Sequence, residues 1–527
     1  LVLRNGIADL GEPRNTQLLE REALPSYLPM QAWAATGGTR GKAVRLAALA
    51  LLPGDPALWL AQVEMGSSSN ESQRYFLPLS VTFDAVPAGS PVASHTVARA
   101  RRGSNMGALY DAVVDDRFGR RMLAAIGAGV AVPARNGAYQ FVPGAAFATI
   151  PPPDPQKAQR TTIDRGGVSV VVNERVAMKV FRRLPRDGTA EVEVSRYLTE
   201  VAHYANVPRY LGHGAFIAGD GSATPIVLAQ DFVVGQGDGW TVVTDFLKRE
   251  LETLLLNPDA AGPGPYALYE AFLVGIATLG RRIAELHAAL ARGRTVAFAP
   301  EAMPEGYFRD LGSAIAAQID AALATLARAA VDDRTQADVN LLIASRQAVL
   351  GFLREVLPIG AQVVGTRIHG NLQLGNLLAV ENDWYVLNVA GELPPSRFAA
   401  AGAKAPIWRD VATLLRSFDD AAGAVAAHHA HIVPNAEADA EQHALAWRDA
   451  TRTVFVHAYE QIAATTPGFS DDEALRKRLI DLYALEQAVY EITYEAANRP
   501  AKLHIPVRGV LELVGLTRPG TSNASPP

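Results

Sequence analysis

Residues His369–Leu378 read HGNLQLGNLL, and Trp384–Glu392 soon afterwards read WYVLNVAGE. The first stretch is typical of a polar loop that leads into a strand, and the second is typical of a strand that ends in polar residues. Asn371 and Asn376 stand five positions apart in the loop, and Asn388 follows the second strand. A phosphoryl-transfer site of this layout needs an acid beside the attacking hydroxyl and oxygen ligands for Mg²⁺. At Asn371 and Asn388, where negative charge is expected, the chain carries neutral amides.

The composition excludes several classes of protein. The chain has 527 residues, of which 49% are hydrophobic and 20% charged, so we expect a soluble globular protein of about three compact units. A net charge of -5 and the lack of a Lys/Arg-rich run argue against a nucleic-acid partner. The absence of cysteine removes disulfides and thiol chemistry and fits the cytoplasm. No apolar run of about 18 residues predicts a membrane span.

The beginning of the chain carries its own expectation. Residues Leu1–Gly6 contain neither an initiator Met nor a signal-peptide pattern. The apolar alternation is typical of the last strand of a preceding domain, which would make this chain part of a longer polypeptide. An arbitrary starting point is an equally open alternative.

The first third of the chain predicts a small α+β unit. Residues 43–52, 57–64, 75–83 and 137–142 have the pattern of strands, and residues 117–126 have helical spacing. Prolines at Pro151, Pro152, Pro153 and Pro155 then interrupt the pattern. Consecutive prolines suit neither a helix interior nor a central strand, so they predict a boundary.

A β-hairpin follows the prolines. Val168–Val172 and Val176–Phe181 alternate as strands around the turn Asn173-Glu174. The glycines before the hairpin, together with Ser169, predict a phosphate-covering loop, and Lys179 on the second strand would meet the phosphates. A solvated strand lysine is the alternative for Lys179.

The remainder is predominantly helical by period. Residues 241–255, 266–292, 315–357, 409–418 and 479–498 predict helices, with two of them in the third range. His428, His429 and His431 cluster near the middle of this part. No acidic or cysteine partner stands at ligand spacing, so the cluster predicts a surface helix and not a metal site.

Several blocks together resemble one family. Thr366–Asn376, Ala405–Phe418, Ala177–Leu184, Gln236–Trp240 and Leu485–Pro506 are similar to segments of bacterial maltokinases, which are often fused behind trehalose synthase. The resemblance runs from about residue 20 to about residue 516. It implies an α+β fold, with an N-terminal α+β cap domain followed by a bilobal protein-kinase-like fold, similar to aminoglycoside phosphotransferases, with a mainly helical C-lobe. The implied divisions are a tail over 1–20, the cap over 21–150, the N-lobe over 151–235, the C-lobe over 236–518 and a disordered tail over 519–527.

The resemblance also implies roles for single residues. It pairs Lys179 with Glu193, adds Ser169 to the nucleotide site, and makes residues 235–239 a hinge beside the adenine. His369 and Asp410 would be structural, Asp410 by bracing the loop. The helix 479–498 would line the sugar site, for which core packing of its tyrosines is the alternative. The implied sugar-binding residues are Gln373, Glu486, Gln487, Tyr490 and Tyr494.

The chain departs from the family at the centre of the site. Maltokinases show HGDLHLGQ and then DFEGEP, whereas this chain has Asn371 for the base, Gln373 for His, Asn388 for the metal aspartate and Ala390 for the following Glu. Only Glu392 remains as a carboxylate in the second motif. Outside the loop, Gln487 stands for a usual Lys, and Ala501-Lys502 replaces Asp-Trp.

These departures predict a pseudokinase. The expected role is a non-catalytic scaffold or regulatory module that works with trehalose synthase, either fused to it or as a separate partner. A homo-oligomer is an open alternative. One alternative is an active maltokinase that uses ATP and Mg²⁺, with Asn376 and Asn388 as the metal ligands, to make maltose 1-phosphate. Another is a sensor of nucleotide, maltose or a related sugar.

Overall fold

The computed structural model describes residues 1–34, 43–66, 72–152, 154, 159–163, 167–184, 190–256, 269–390, 403–432 and 437–516. The chain forms two compact units. The first contains Leu1–Val201 and Pro208–Val233, and the second contains Ala202–Val207 and Val234–Pro527. The predicted tail over 519–527 lies outside the described residues.

The first unit contains a cap sheet in the strand order β1-β2-β3-β5-β4, with every neighbouring pair antiparallel. The strands are β1 (Val44–Leu52), β2 (Leu58–Met65), β3 (Gln73–Thr82), β4 (Thr96–Arg102) and β5 (Asn105–Asp111). Three were predicted, but the hairpin of β4 and β5 was missed because its arginines and glycines obscure the alternation.

Both faces of the cap sheet are buried, which explains why β2 is apolar almost throughout. Leu58 and Leu60 belong to one core cluster, while Ala61 and Val63 belong to another with Leu3. The second cluster also holds the side chains of the N-terminal helices. The residues predicted as a tail over 1–20 therefore contribute to the cap core, because Leu3, Leu10 and Leu19 are fully buried there.

A second antiparallel sheet of the first unit has the order β6-β7-β12-β13-β10-β9-β8. Its strands are β6 (Ala131–Ala134), β7 (Gly137–Pro143), β8 (Arg160–Ile163), β9 (Val168–Val172), β10 (Val176–Val180), β12 (Tyr210–Ala218) and β13 (Ala223–Asp231). The predicted boundary at residue 151 falls between β7 and β8 of this one sheet. The structure places the change of sheet between β5 and β6, because β7 pairs with β12.

The strand β11 (Arg183–Leu184) returns from this second sheet to the cap sheet and pairs with β3. Just before it, the buried Arg182 forms an ion pair with Asp111, and its guanidinium carbon lies 4.8 Å from the ring centre of Trp33. The cap and the second sheet are thus joined by backbone hydrogen bonds and by a buried charge pair.

Five short or medium helices complete the first unit. They are α1 (Pro13–Leu18), α2 (Leu24–Tyr27), α3 (Pro91–Ser94), α4 (Phe118–Gly127) and α5 (Ala190–Arg196). A π-helical turn, Tyr197–Val201, continues α5. The apolar side chains of α4 pack in the same core cluster as the valines of β9 and β10.

The second unit is mainly helical. Its helices are α6 (Gly239–Leu256), α7 (Glu270–Ala291), α8 (Tyr307–Leu326), α9 (Asp333–Ala344), α10 (Arg346–Val356), α11 (Trp408–Ile432), α12 (Glu437–Ala463), α13 (Glu473–Asn498) and α14 (His504–Leu513). Its short strands are β14 (Gly237–Asp238), β15 (Glu301–Ala302), β16 (Val364–Gly365), β17 (Leu377–Val380) and β18 (Asp383–Val386). The α+β class with a kinase-like helical second half is confirmed.

Across the part of the chain that the structure describes, we find no helix with the length and apolar character that a membrane crossing requires.

Candidate functional site

The first unit presents a lysine and a serine side by side on its second sheet. Val176, Met178 and Val180 of β10 point into the core, so Lys179 between them points outward. Antiparallel register places Ser169 of β9 opposite Lys179. Residues that face each other across two strands lie on the same side of the sheet. The predicted pair, Ser169 and Lys179, is therefore brought together.

Lys179 holds a carboxylate of α5. Its Nζ donates to both oxygens of Glu191, at 2.9 Å and 2.7 Å. The Glu191 side chain is 3% exposed and that of Lys179 is 28% exposed. The ammonium also lies 5.4 Å from the ring centre of Phe181. The pair is thus fixed on its glutamate side and open on its lysine side.

The predicted partner, Glu193, is replaced in this role by Glu191. Two residues along an α-helix rotate a side chain by about 200°, so both glutamates cannot face the same strand. Glu191 lies on the buried side of α5, with Val194 and Ser195, whereas Glu193 is exposed. Neither the start of α5 nor its rotation can be read from the local sequence, so the sequence does not decide which of the two glutamates faces Lys179.

In the second unit, Asp410 of α11 braces the loop after β16. Its Oδ2 accepts from the backbone N–H of His369 at 2.6 Å, and its Oδ1 accepts from that of Gly370 at 2.9 Å. Nε2 of the buried His287 also lies 3.1 Å from Oδ2. Burial alone would raise the pKa of Asp410, but the bond and charge of His287 hold it below the usual value. Asp410 is 1% exposed, so it orders the loop and is not placed to act on a ligand.

His369 is fixed as a neutral imidazole. Its Nδ1 accepts the backbone N–H of Asn371 at 3.2 Å, so its Nε2 carries the hydrogen given to the carbonyl of Leu387 at 2.9 Å. Burial lowers the pKa of His369. The first bond lies within the loop, and the second ties the loop to the residue that follows β18. The structural roles that the resemblance implies for His369 and Asp410 stay a prediction.

The three predicted asparagines form a chain of hydrogen bonds. Asn376 Nδ2 donates to the backbone carbonyl of Asn371 at 2.8 Å. Asn388 Nδ2 donates to Asn376 Oδ1 at 3.0 Å. Asn388 has a backbone φ of 55°, a left-handed conformation that asparagine tolerates better than most residues. We call this arrangement the amide ladder; it consists of Asn371, Asn376 and Asn388.

The amide ladder does not fit Mg²⁺. Magnesium requires oxygen ligands in octahedral geometry, usually with one or two carboxylates. Here Asn376 Oδ1 already accepts an N–H, and Asn388 turns a donor toward it. Glu392, the remaining carboxylate of the motif, lies outside the described residues. Among the described residues there is no group of three or more His, Asp or Glu side chains arranged around a common point.

The predicted sugar residues of α13 are divided by burial. Glu486 is 5% exposed, and its Oε1 accepts from Arg409 Nη2 at 2.6 Å, within the helical core. Gln487 donates to Glu491 at 2.8 Å. Tyr490 and Tyr494 lie one turn apart with ring centres 6.0 Å from each other, and Tyr494 is 42% exposed. Gln373 is exposed on the loop, and its part in sugar binding stays a prediction.

Sequence reasoning missed an aromatic contact near the end of α13. Lys502 Nζ lies 4.9 Å from the ring centre of Trp240, at the start of α6. Burial and then the charge of Arg499 lower the pKa of Lys502. The guanidinium of Arg499 lies 5.4 Å from the ring centre of Tyr494. The two contacting residues lie in the blocks Gln236–Trp240 and Leu485–Pro506. The sequence alone does not show that these blocks meet in the fold.

The histidine cluster differs from its prediction. His428 is exposed, but His429 is 3% exposed. Within the described part of the chain, neither ring nitrogen of His429 has a hydrogen-bond partner. The side chain of His431 lies outside the described residues. The surface-helix prediction was thus wrong for His429, because α11 is packed on more than one side and the alanines around the cluster conceal its buried face.

Comparison with known proteins gives a family match in the first part of the chain. Residues 27–115 match a maltokinase N-terminal cap domain. This confirms the resemblance drawn from the sequence. The matched range ends just after β5, at the same change of sheet that the structure shows.

Solved structures share the fold over nearly the whole chain. A glucosamine kinase in complex with glucosamine, ADP and inorganic phosphate is 19% identical, with a TM-score of 0.64 over 94% of this chain and 98% of that chain. A second crystal form of glucosamine kinase is also 19% identical, with a TM-score of 0.65 over 95% and 99%. At this identity the likeness establishes the fold, while activity must be argued from the site.

Proposed function

We propose that this maltokinase-like protein is a pseudokinase of the sugar kinase type, which has kept the scaffold of its site and lost efficient phosphoryl transfer. The observation that carries the proposal is the amide ladder. Its three side chains are neutral, and Asn388 satisfies Asn376 without a cation. A protein that bound Mg²⁺ there would have to break this bond and would gain no negative charge in return.

The loss of a base supports the same proposal. The amide of Asn371 cannot accept a hydroxyl proton as a carboxylate does. Removing a general base lowers a rate by about 10²–10⁴-fold, and removing charge from the metal ligands lowers it further. Asp410 does not substitute, because it is buried and both its oxygens accept hydrogen bonds from the loop. Asp383, on the next strand, binds Arg282 through both oxygens.

The contacts of Asp410 and His369 with the loop support a role for the retained fold other than phosphoryl transfer. The hydrogen bonds of Asp410 and His369 hold the loop in a defined conformation although its acids are gone. The expected role is a scaffold or regulatory module. Its proposed partner is trehalose synthase, on the resemblance of the sequence blocks, and its proposed location is the cytoplasm. Co-elution with purified trehalose synthase on a sizing column tests the partnership.

A sensor of nucleotide is the second candidate, and the Lys179–Glu191 pair favours it. A lysine held by a helix glutamate is the arrangement that kinases use to contact nucleotide phosphates. ATP binding in the presence of EDTA, measured by calorimetry and lost in Lys179→Met, would support the sensor. Equal heats from the native chain and from Lys179→Met would exclude it.

The decisive experiment measures ADP release from ATP and Mg²⁺ with maltose or glucosamine as the acceptor. The native chain is compared with Asn371→Asp plus Asn388→Asp. We expect no detectable sugar-dependent ADP release from the native chain. In the double variant we expect the rate of that release to be about 10²-fold or more above the native background. Adding Lys179→Met to the double variant must abolish the gain, which excludes a contaminating ATPase. Sugar-dependent ADP from the native chain, sensitive to Lys179→Met, would overturn the proposal.

A further inference from the structure

A cavity lies inside the helical unit, away from the amide ladder. It has a volume of about 620 Å³ and is enclosed by helices α9, α11, α12 and α14. A neighbouring cavity of about 710 Å³ shares part of its lining, including Arg416, Arg448 and Arg508. Ligand sites in proteins have volumes of about 300–1,000 Å³. The space is therefore large enough for a small molecule.

Small residues create the space. Ala422, Gly423 and Ala426 line it from α11, and Ala444 lines it from α12. Larger side chains at these positions would fill the gap between the helices, as core packing usually requires. Leu445 of α12 and Ile505 of α14 add bulky apolar side chains to the lining, and Ile505 packs against Gly423, where a Cβ would lie 3.1 Å from its Cγ1. The result is one flat apolar wall.

The charged side of the cavity is already paired. Arg448 Nη1 binds Glu512 at 2.8 Å, and Arg508 Nη1 binds Glu441 at 2.7 Å. The remaining carboxylates of the lining are Asp419, which binds Arg452 Nη1 at 2.8 Å, and Asp332, which caps α9 by accepting from the backbone N–H of Thr335 at 2.9 Å. A cationic or anionic ligand would have to compete with these partners. A neutral ligand would not.

Arg416 belongs to the lining, and carboxylates hold its guanidinium. Its terminal nitrogens bind Asp419 at 2.8 Å and Glu491 at 2.9 Å. Its Nε–H is buried and has no acceptor among the described residues. Gly509 permits this approach, since a Cβ at that position would lie 2.4 Å from Nη1 of Arg416.

We propose that this cavity binds a neutral polyhydroxylated molecule of mono- or disaccharide size. Ring hydroxyls can donate to the paired carboxylates, each of which accepts more than one hydrogen bond, and accept from the N–H groups of Arg448 and Arg508, without breaking an ion pair. The C–H face of a pyranose ring matches the wall of alanines and Ile505. The mixture of one apolar wall and several convergent polar groups is what binding sites for such molecules present.

The same residues connect the cavity to α13. Arg416 binds Glu491 of that helix, and Glu491 accepts from Gln487 at 2.8 Å. The lining is therefore linked by hydrogen bonds to the helix that carries Tyr490 and Tyr494. The cavity itself does not include either tyrosine. The inference is independent of the pseudokinase proposal, because it uses none of the amide ladder.

The experiment uses maltose as the probe and ligand-observed saturation-transfer NMR with the full chain, followed by calorimetry. The blocking variant is Ala427→Trp, because Ala427 lines the cavity and is exposed at its mouth, so a large side chain there does not enter the core. The matched control is Ala446→Trp, an exposed alanine of α12 that is not in the lining. Spermidine and citrate serve as cationic and anionic comparison ligands.

We expect maltose to bind the native chain and Ala446→Trp alike, and Ala427→Trp to weaken binding by about tenfold or more. Circular dichroism verifies that both variants fold. Tyr494→Ala separates this site from the predicted sugar residues and should leave a cavity-bound signal in place. Absence of maltose binding, binding that Ala427→Trp does not change, binding lost in Tyr494→Ala, or stronger binding of spermidine or citrate would each overturn the proposal.

Discussion

The single substitution Asn388→Asp tests whether the hydrogen bond within the amide ladder takes the place of a bound metal ion. In the native chain, Asn388 Nδ2 donates to Asn376 Oδ1 at 3.0 Å. An aspartate brings an oxygen to the place of that nitrogen, so two acceptors face each other with no proton between them. The lost hydrogen bond costs about 0.5–1.5 kcal/mol of the free energy of unfolding. The contact is exposed, so we expect the lower half of that range.

Mg²⁺ should reverse the loss in the variant. The carboxylate and Asn376 Oδ1 would then be two oxygen ligands, and a ligand that binds only the folded state stabilises it by about 2.7 kcal/mol at one hundred times its Kd. The native chain has no such pair, because its amide nitrogen occupies the position. We expect Mg²⁺ to increase the free energy of unfolding of Asn388→Asp and to leave that of the native chain unchanged.

Urea unfolding with EDTA and with Mg²⁺, followed by circular dichroism, measures this difference. Asn382→Asp is the matched control, because Asn382 is exposed in the turn between β17 and β18 and its substitution adds the same charge. Ca²⁺ at the same concentration distinguishes specific coordination of Mg²⁺ by the new carboxylate from general screening of its charge by a divalent cation. The reasoning is refuted if Mg²⁺ stabilises the native chain as much as Asn388→Asp, or if Asn388→Asp and Asn382→Asp respond equally.

Three further substitutions, with Glu193→Ala as a control, test paired or shifted charges by urea unfolding. Glu191→Ala should cost about 2 kcal/mol, between exposed and buried ion pairs, and Glu193→Ala less than about 0.5 kcal/mol; equal losses would refute the pairing. Asp111→Ala leaves a buried guanidinium unpaired and should cost about 3–5 kcal/mol; a loss below about 1 kcal/mol would contradict it. Burial and the charge of Glu491 raise the pKa of Asp420, so its contribution to stability should fall as the pH rises above 3.8. Asp420→Asn should flatten that decline, and an unchanged pH profile would exclude Asp420 as its source.

The strands and helices of simple period could be predicted from the sequence. The hairpin around Asn173-Glu174 and the helix 479–498 have patterns that local residues determine, and the structure contains both. Which strands share a sheet depends on distant pairings. That is why β6 and β7 were assigned to the cap although β7 pairs with β12, which lies beyond the prolines.

The candidate site was predictable in its residue types and not in its contacts. The loss of acids at positions 371 and 388 is visible in the sequence. The hydrogen bond between Asn388 and Asn376 depends on a left-handed backbone conformation at Asn388. The neighbouring residues do not predict that conformation. The exchange of Glu193 for Glu191 depends on the rotation of one short helix. The Arg416 contacts depend on a glycine about ninety residues later along the chain.

The pairing of β11 with β3 bears on how this cap can be inherited. The cap sheet takes its last strand from Arg183–Leu184, which the gene encodes after Lys179 and far beyond residues 27–115. Recombination that exchanged only the earlier segment would separate Tyr75 and Arg74 from their backbone partners and Asp111 from Arg182. A cap of this kind should therefore be inherited together with the nucleotide-side sheet and seldom appear as a transferable module.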